Sequence, residues 1–370
     1  MAGITLNNGR RRGQVVAPRS KSHEHRLLIA DFLAGDMARL APAEGDSDDI
    51  IATKRCLSAL ATDDAAPLLD CGESGSTRRF LAPIAAALGK HPVYKTAGRL
   101  ADRPQIAYDD LKPGEFELKG DVSSQFVTGL LFALPLLDGD SSIHFSSPLQ
   151  SKDYVEMTRR VLIGAGIYIG VRDDGFDIPG GQTYLPQPEA QVEGDWSGAA
   201  FWYGMNALGS EIIISGLSKD SVQPDRAVVE LARRISTAWK DEKVSIDVSG
   251  CPDIFPVLSV VAGASSGETL FVGTRRLRIK ESDRVEAMSD ALKRFGAEIS
   301  ADENSFTVRG TGGSLRGGSF ESYSDHRIAM AVAVGATVAD GQVSIDDAEC
   351  ATKSYPMFFE TFEKLPIADS

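Results

Sequence analysis

Six times along this 370-residue chain, a short turn rich in Ser, Gly, Asp or Pro opens a segment that would be apolar on nearly every side of a helix. The segments are SKSHEHRLLIADFLAG from Ser20, ESGSTRRFLAPIAAALG from Glu73, GDVSSQFVTGLLFALPL from Gly120, GDWSGAAFWYGMNALG from Gly194, CPDIFPVLSVVAGAS from Cys251 and YSDHRIAMAVAVGAT from Tyr323. Their starts recur about every 50–75 residues, the spacing of a repeated supersecondary unit. A helix with no polar face must be surrounded by other elements, so these six belong inside a domain. Between them lie amphipathic helical patterns that run into short β-like stretches, as in MSDALKRFGAEISA, MTRRVLIGAGIYIG and AVVELARRISTAW. SDDIIATKRCLSAL joins this outer group, with Ser47 placed to cap its helix. SEIIISG, KVSIDVSG, ETLFVGT, NSFTVRG and GQVSIDD read as strands ending in Gly or Asp turns. The chain is therefore expected to be α/β (α+β), with buried helices inside and amphipathic helices and sheets outside.

With 42% hydrophobic and 25% charged residues, a chain of this length fills two cores of ordinary size more readily than one very large core. A net charge of −13 argues against nucleic acid or an anionic membrane as partner. The longest apolar run, from Ile328 to Ala339, is shorter than the about 20 residues that span a bilayer. Cys56, Cys71, Cys251 and Cys350 lack the short spacing of a zinc or redox site and read as reduced, buried thiols. The opening MAGITLNNGRRRG has no signal-peptide apolar core, and the expectation is a cytoplasmic enzyme.

In such an acidic protein an anionic ligand must meet a local basic cluster, and the turns that open the buried helices supply one. A helix N-terminus presents unpaired N–H groups and about half a positive charge. At these openings stand Lys21, Ser22, Arg26, Gly75, Arg79, Ser123, Ser124, Gln125, Asp325, His326 and Arg327. LRIKESDRVEAM adds Lys280, Glu281, Asp283 and Arg284 where another helix begins. Taken singly, each string is also an ordinary capping sequence or a solvated charged turn. YSDHRIAMA departs most from that reading, because charge directly before a buried helix is expensive unless it is used.

Taken together and in order, SKSHEHR, GESGSTRRFL, GRLADRP, GDVSSQF, SKDY, VEGDWS, PDIFP, LRIKESDR, DHRIAMA and ATKSYP resemble the signature series of the EPSP synthases, from Pro18 to about Pro356. The resemblance implies two domains with an active site in the cleft between them, residues 1–20 with 193–370 and residues 21–192. Each would be a pseudo-threefold set of βαβαββ units around buried helices, an inverse α/β barrel-like fold. It further implies transfer of the enolpyruvyl group of phosphoenolpyruvate to the 5-hydroxyl of shikimate 3-phosphate in the shikimate pathway of aromatic amino-acid biosynthesis. Shikimate 3-phosphate would be held by Lys21, Ser22, Arg26, Ser123, Ser124, Gln125, Ser151, Asp253 and Lys280, with Tyr154 beside its ring. Phosphoenolpyruvate would be held by Lys21, Gly75, Arg103, Gln125, Arg284, Arg327 and Lys353. Of these, Asp253 would be the base at the hydroxyl, Glu281 the acid toward the methylene carbon, and Lys21 the aid to departing phosphate. No metal or other cofactor is implied, since fixed cations neutralise the substrate, and the protein is expected to act as a monomer. Because Gly75 matches the glycine of glyphosate-sensitive relatives, the resemblance also implies sensitivity to glyphosate.

The sequence departs from the family pattern in places. Glu73 stands where many relatives carry Asn, Pro18-Arg19 replaces a common Pro-Gly, and Arg276 occupies a position often held by Asn. Two other readings compete. A transferase acting on UDP-N-acetylglucosamine would carry Lys-Asn at Lys21-Ser22 and usually a Cys in the GRLADRP loop, and this chain has neither. A noncatalytic phosphate-ligand sensor on the same scaffold would have no reason to keep Lys21, Asp253 and Glu281 together.

Overall fold

The computed structural model describes residues 3–120, 123–240 and 242–368. Among them are eleven α-helices: α1 (Lys21–Leu33), α2 (Asp48–Leu60), α3 (Gly75–Ala87), α4 (Ser124–Ala133), α5 (Lys152–Gly164), α6 (Trp196–Ala207), α7 (Val228–Ser236), α8 (Phe255–Ala264), α9 (Arg284–Phe295), α10 (His326–Ala336) and α11 (Phe358–Lys364). The six turn-opened segments are α1, α3, α4, α6, α8 and α10. Their burial follows from their composition: every residue of α8 and of α10 is buried. The amphipathic patterns form α2, α5, α7 and α9, each burying one stripe. Ser47 sits at the N-cap position of α2, yet its hydroxyl makes no capping hydrogen bond, so the first-turn acids Asp48 and Asp49 are what complement that helix end.

The chain divides into two compact units, Met1–Ser20 with Gly194–Ser370 and Lys21–Glu193. Each contains a βαβαββ unit of the same topology. In the Lys21–Glu193 unit the order is Glu115–Lys119, α4, Ser141–Ser147, α5, Gly170–Arg172 and Gly175–Ile178. The first two strands pair in parallel, and the last two add antiparallel as a hairpin. The other unit repeats this with Lys243–Asp247, α8, Glu268–Val272, α9, Glu298–Ala301 and Ser305–Arg309. A parallel pair needs a helical crossover, which is why a buried helix separates the first two strands in both.

Each unit carries its own apolar core. That of the discontinuous unit is built on α6, α8 and α10, which pack against one another. In the Lys21–Glu193 unit, α3 and α4 approach closely because Gly129 has no side chain. A Cβ there would lie 2.6 Å from the carbonyl oxygen of Arg79. Cys56, Cys71 and Cys251 are buried, whereas Cys350 is only half-buried. Among the described residues no helix is long and apolar enough to cross a membrane.

Candidate active site

In the Lys21–Glu193 unit, the openings of α1, α3 and α4 are tied together by side chains. Lys21 Nζ donates to Asp49 Oδ2 at 2.7 Å. The carbonyl of Asp49 accepts from the Thr53 hydroxyl, which lies 2.6 Å from that of Thr77, and Thr77 in turn donates to Ser74 Oγ at 2.7 Å. Ser74 is the N-cap of α3 and accepts the Thr77 amide. His25 closes the network on Thr53 at 2.7 Å, and burial drives its imidazole down to about 3, so it stays neutral.

Gly75, Arg103 and Gln125 lie together at the start of α3. Arg79 is pinned by the Pro104 carbonyl and donates to Gln125 Oε1 at 2.6 Å, while Gln125 Nε2 donates to Ser76 Oγ at 2.9 Å. A Cβ on Gly75 would stand 3.0 Å from an Arg79 nitrogen and 3.2 Å from Nη1 of Arg103. Ser123 caps α4 by accepting the Gln125 amide, and Ser124 is buried beside it. Asp121 and Val122 of the same motif lie outside the described residues. Arg26 faces inward: it donates to the hydroxyls of Thr158 and Thr128 and the carbonyls of Tyr154 and Ser22, with Phe80 beneath the guanidinium. Burial lowers it to about 10, still charged at neutral pH. Ser22 thus joins the Arg26 group through its carbonyl, and Tyr154 does so from α5.

The other unit gathers three cations and three carboxylates. Arg284, 1% exposed, donates from Nε to Asp325 at 2.9 Å, from Nη1 to Asp253 at 2.9 Å and from Nη2 to Glu281 at 2.9 Å. Arg327 Nη2 donates to the second oxygen of Asp253 at 3.1 Å, and Lys280 Nζ lies 3.5 Å from the first. Local chain geometry presents these groups. Asp253 sits in a 3-10 turn (Pro252–Ile254) leading into α8, Lys280 follows another (Arg275–Ile279), and Asp325 is the N-cap of α10. Lys353 ends a third such turn (Glu349–Lys353) with its side chain buried. Burial alone would raise the Asp253 carboxyl, but Arg327, Lys280 and Arg284 outweigh it and hold it well below the usual range. Burial pushes the Lys280 ammonium down to about 8 against the pull of Asp253. Among the described residues the buried Nε of Arg327 has no hydrogen-bond partner, so this guanidinium keeps a donor to offer.

Backbone strain collects at the same places. Three non-glycine residues among those described have positive φ: Ser151 (52°), Tyr323 (55°) and Ser324 (51°). Ser151 precedes α5 and is one of the residues expected at shikimate 3-phosphate. Tyr323 and Ser324 immediately precede Asp325. Left-handed side-chain-bearing residues cost energy and persist where the surroundings impose them. Ser324 is exposed. Ser324→Gly is therefore expected to stabilise the fold by up to about 1 kcal/mol in urea denaturation, while lowering kcat/KM by loosening Asp325 under Arg284. No gain in stability would remove the strain argument.

Several residues of these clusters were not among those picked from the sequence. Asp49 holds Lys21, Ser282 donates to Asp325 beside Arg284, and Asp225 lies fully buried with the Ser197 hydroxyl donating to it. Asp325, which also meets Arg284, is by contrast one of the residues singled out in the sequence by its place before a buried helix. Asp49 and Asp225 had no signal beyond a polar turn.

The fold is that of the enolpyruvyl transferases. EPSP synthase from Acinetobacter baumannii superposes with a TM-score of 0.75 at 22% identity, covering 99% of this chain and 98% of that one. The enolpyruvyl transferase NikO from Streptomyces tendae gives 0.69 at 14% identity with the same coverage. Within that class, residues 96–362 match the family model of EPSP synthase (3-phosphoshikimate 1-carboxyvinyltransferase). A curated relative from Clostridium kluyveri bearing the name 3-phosphoshikimate 1-carboxyvinyltransferase is 38% identical, over 99% of this chain and 97% of its own length. The relative of that name from Clostridioides difficile is 36% identical over 99% and 98%. The chain belongs to the EPSP synthase family.

Proposed function

We propose that this protein transfers the enolpyruvyl group of phosphoenolpyruvate to the 5-hydroxyl of shikimate 3-phosphate, releasing phosphate, as the name of its curated relatives says of them. The observation that carries the reading is the Arg284 cluster, in which one buried guanidinium joins the two carboxylates with proton-transfer roles, Asp253 and Glu281, while Arg327 and Lys280 converge on Asp253. On this reading Lys21, Gly75, Arg103, Gln125, Arg284, Arg327 and Lys353 hold phosphoenolpyruvate. Lys21, Ser22, Arg26, Ser123, Ser124, Gln125, Ser151, Asp253 and Lys280 hold shikimate 3-phosphate.

The chemistry follows from competition for donors. With no anion bound, Asp253 is a weak base because three cations stabilise its charge. An arriving carboxylate or phosphate competes for Arg327, Arg284 and Lys280, and each donor it takes makes Asp253 more basic. The base is strengthened by the substrate it will help to attack. Asp253 then removes the hydroxyl proton as the hydroxyl oxygen bonds to the central carbon and Glu281 protonates the methylene carbon, giving a tetrahedral ketal. The transfers then reverse: Glu281 takes a proton back from the new methyl group as the carbon–oxygen bond to phosphate breaks, and Asp253 returns its proton to the departing phosphate, which Lys21 assists. The reading takes the enzyme to be a cytoplasmic monomer that needs no cofactor.

Phosphate release from phosphoenolpyruvate tests this, with shikimate 3-phosphate set against UDP-N-acetylglucosamine as acceptor. Turnover is expected only with the former. KM should rise above pH about 8 as Lys280 loses its proton. Turnover only with the nucleotide sugar, or binding of both substrates without turnover, would overturn the assignment.

A further inference from the structure

Asp225 is 0% exposed, in the turn Pro224–Ala227, and has no part in the mechanism above. Ser197, in the first turn of α6, donates its hydroxyl to Asp225 and accepts at its carbonyl from Arg327 Nη1 at 3.4 Å. Its amide is held by the N-cap Asp195 at 2.9 Å. Ser197 is thus clasped between a buried carboxylate and one of the guanidiniums expected at the anion site, whose other end meets Asp253 at 3.1 Å. The ionisable groups facing Asp225 are Asp253, Arg327 and Asp195.

The charges chained through Arg284 already balance: Lys280, Arg284 and Arg327 against Asp253, Glu281 and Asp325. An ionised Asp225 adds a buried negative charge beside them, and a bound anion adds more. Like charges in a poorly solvated site repel strongly. Resting on the reading above, we propose that Asp225 is a positioning residue of the anion site: through Ser197 it seats the Arg327 guanidinium, and it accepts a proton from solvent as the anion binds. The carboxyl is suited to this. Burial, followed by the charge of Asp253, raises it to about 6 against the pull of Arg327, so the further push of an anion brings it into the neutral range.

Two substitutions separate the two halves of this role. Asp225→Asn keeps an acceptor for the Ser197 hydroxyl and removes the charge, whereas Asp225→Ala removes both. Dissociation constants for phosphoenolpyruvate, and for inorganic phosphate as a bare anion probe, are measured by calorimetry from pH 5 to 8 in buffers of differing ionisation enthalpy. Asp225→Asn should bind either anion about five- to tenfold more tightly than wild type at pH 8 and equally near pH 5. It should also lose the proton uptake that wild type shows beyond the ligand's own titration. Asp225→Ala should bind more weakly at every pH. Identical affinities and proton uptake in wild type and Asp225→Asn would overturn the proposal. Wild type that binds phosphate but does not turn over shikimate 3-phosphate would instead overturn the functional assignment, and the phosphate titrations would still decide the role of Asp225.

Discussion

Asp253→Asn should yield a folded protein that holds phosphoenolpyruvate at least as tightly as wild type and turns it over about 10²–10⁴-fold more slowly. The two effects have one origin. Asp253 neutralises Arg327, Lys280 and part of Arg284. Amidation leaves these cations underpaired in a site proposed to receive an anion, so KM for phosphoenolpyruvate should fall or stay level while kcat collapses. A substitution that merely damaged the fold would raise KM and lower kcat together. Glu281→Gln should also lower turnover by about 10²–10⁴-fold, but for a different reason. Its amide oxygen can still accept from Arg284 Nη2, so the cluster keeps its shape and loses only the acid. Steady-state kinetics in both substrates, with circular dichroism to establish folding, separate the outcomes. Near-normal turnover in both variants would remove these residues from the mechanism.

What was legible in the sequence was what local composition decides. The run after Arg327 has no polar face, and α10 is buried at every position. Glu281 and Arg284 stand three residues apart at a helix start, so their pairing could be read from spacing alone. Asp253 and Asp325 reach the same guanidinium from 31 and 41 residues away, and no periodicity encodes such an approach. Asp49 and Asp225 show the limit most clearly. Asp49 reads as a first-turn acid complementing a helix dipole, and Asp225 as part of a Pro-Asp turn. Each acquires its role from a partner 28 residues away, Lys21 in one case and Ser197 in the other. Burial turns an ordinary surface acid into a positioning group, and burial is a property of the assembled unit. Ser47 errs in the opposite direction: its residue type and place are those of a cap, and its hydroxyl does not make the bond.

Gly75→Ala is expected to weaken glyphosate inhibition by on the order of ten- to hundredfold while raising KM for phosphoenolpyruvate by no more than about fivefold. Glyphosate is an anion longer than phosphoenolpyruvate, and the family resemblance places it over Gly75. The geometry gives the added methyl group specific neighbours, the guanidiniums of Arg79 at 3.0 Å and Arg103 at 3.2 Å. Arg79 cannot move aside, because both the Pro104 carbonyl and Gln125 hold it. Arg103 must therefore shift by a few tenths of an ångström, and it is one of the residues proposed to hold phosphoenolpyruvate. Both ligands lose something, but the shorter one can follow the displaced guanidinium, whereas the longer one also meets the methyl group. Close packing leaves no slack to absorb both displacements. Glu73 bears on the starting affinity. Its carboxylate lies over Gly98, where a Cβ would come within 2.3 Å of Oε1, and so stands against the Gly98–Asp102 turn that leads to Arg103. It places a negative group near an anion site, so Glu73→Gln should tighten both anions in parallel and leave their ratio unchanged, whereas Gly75→Ala changes the ratio. Titrating glyphosate against both variants and wild type at matched phosphoenolpyruvate saturation measures that ratio, and equal inhibition of wild type and Gly75→Ala would sink the assignment of Gly75 to this site.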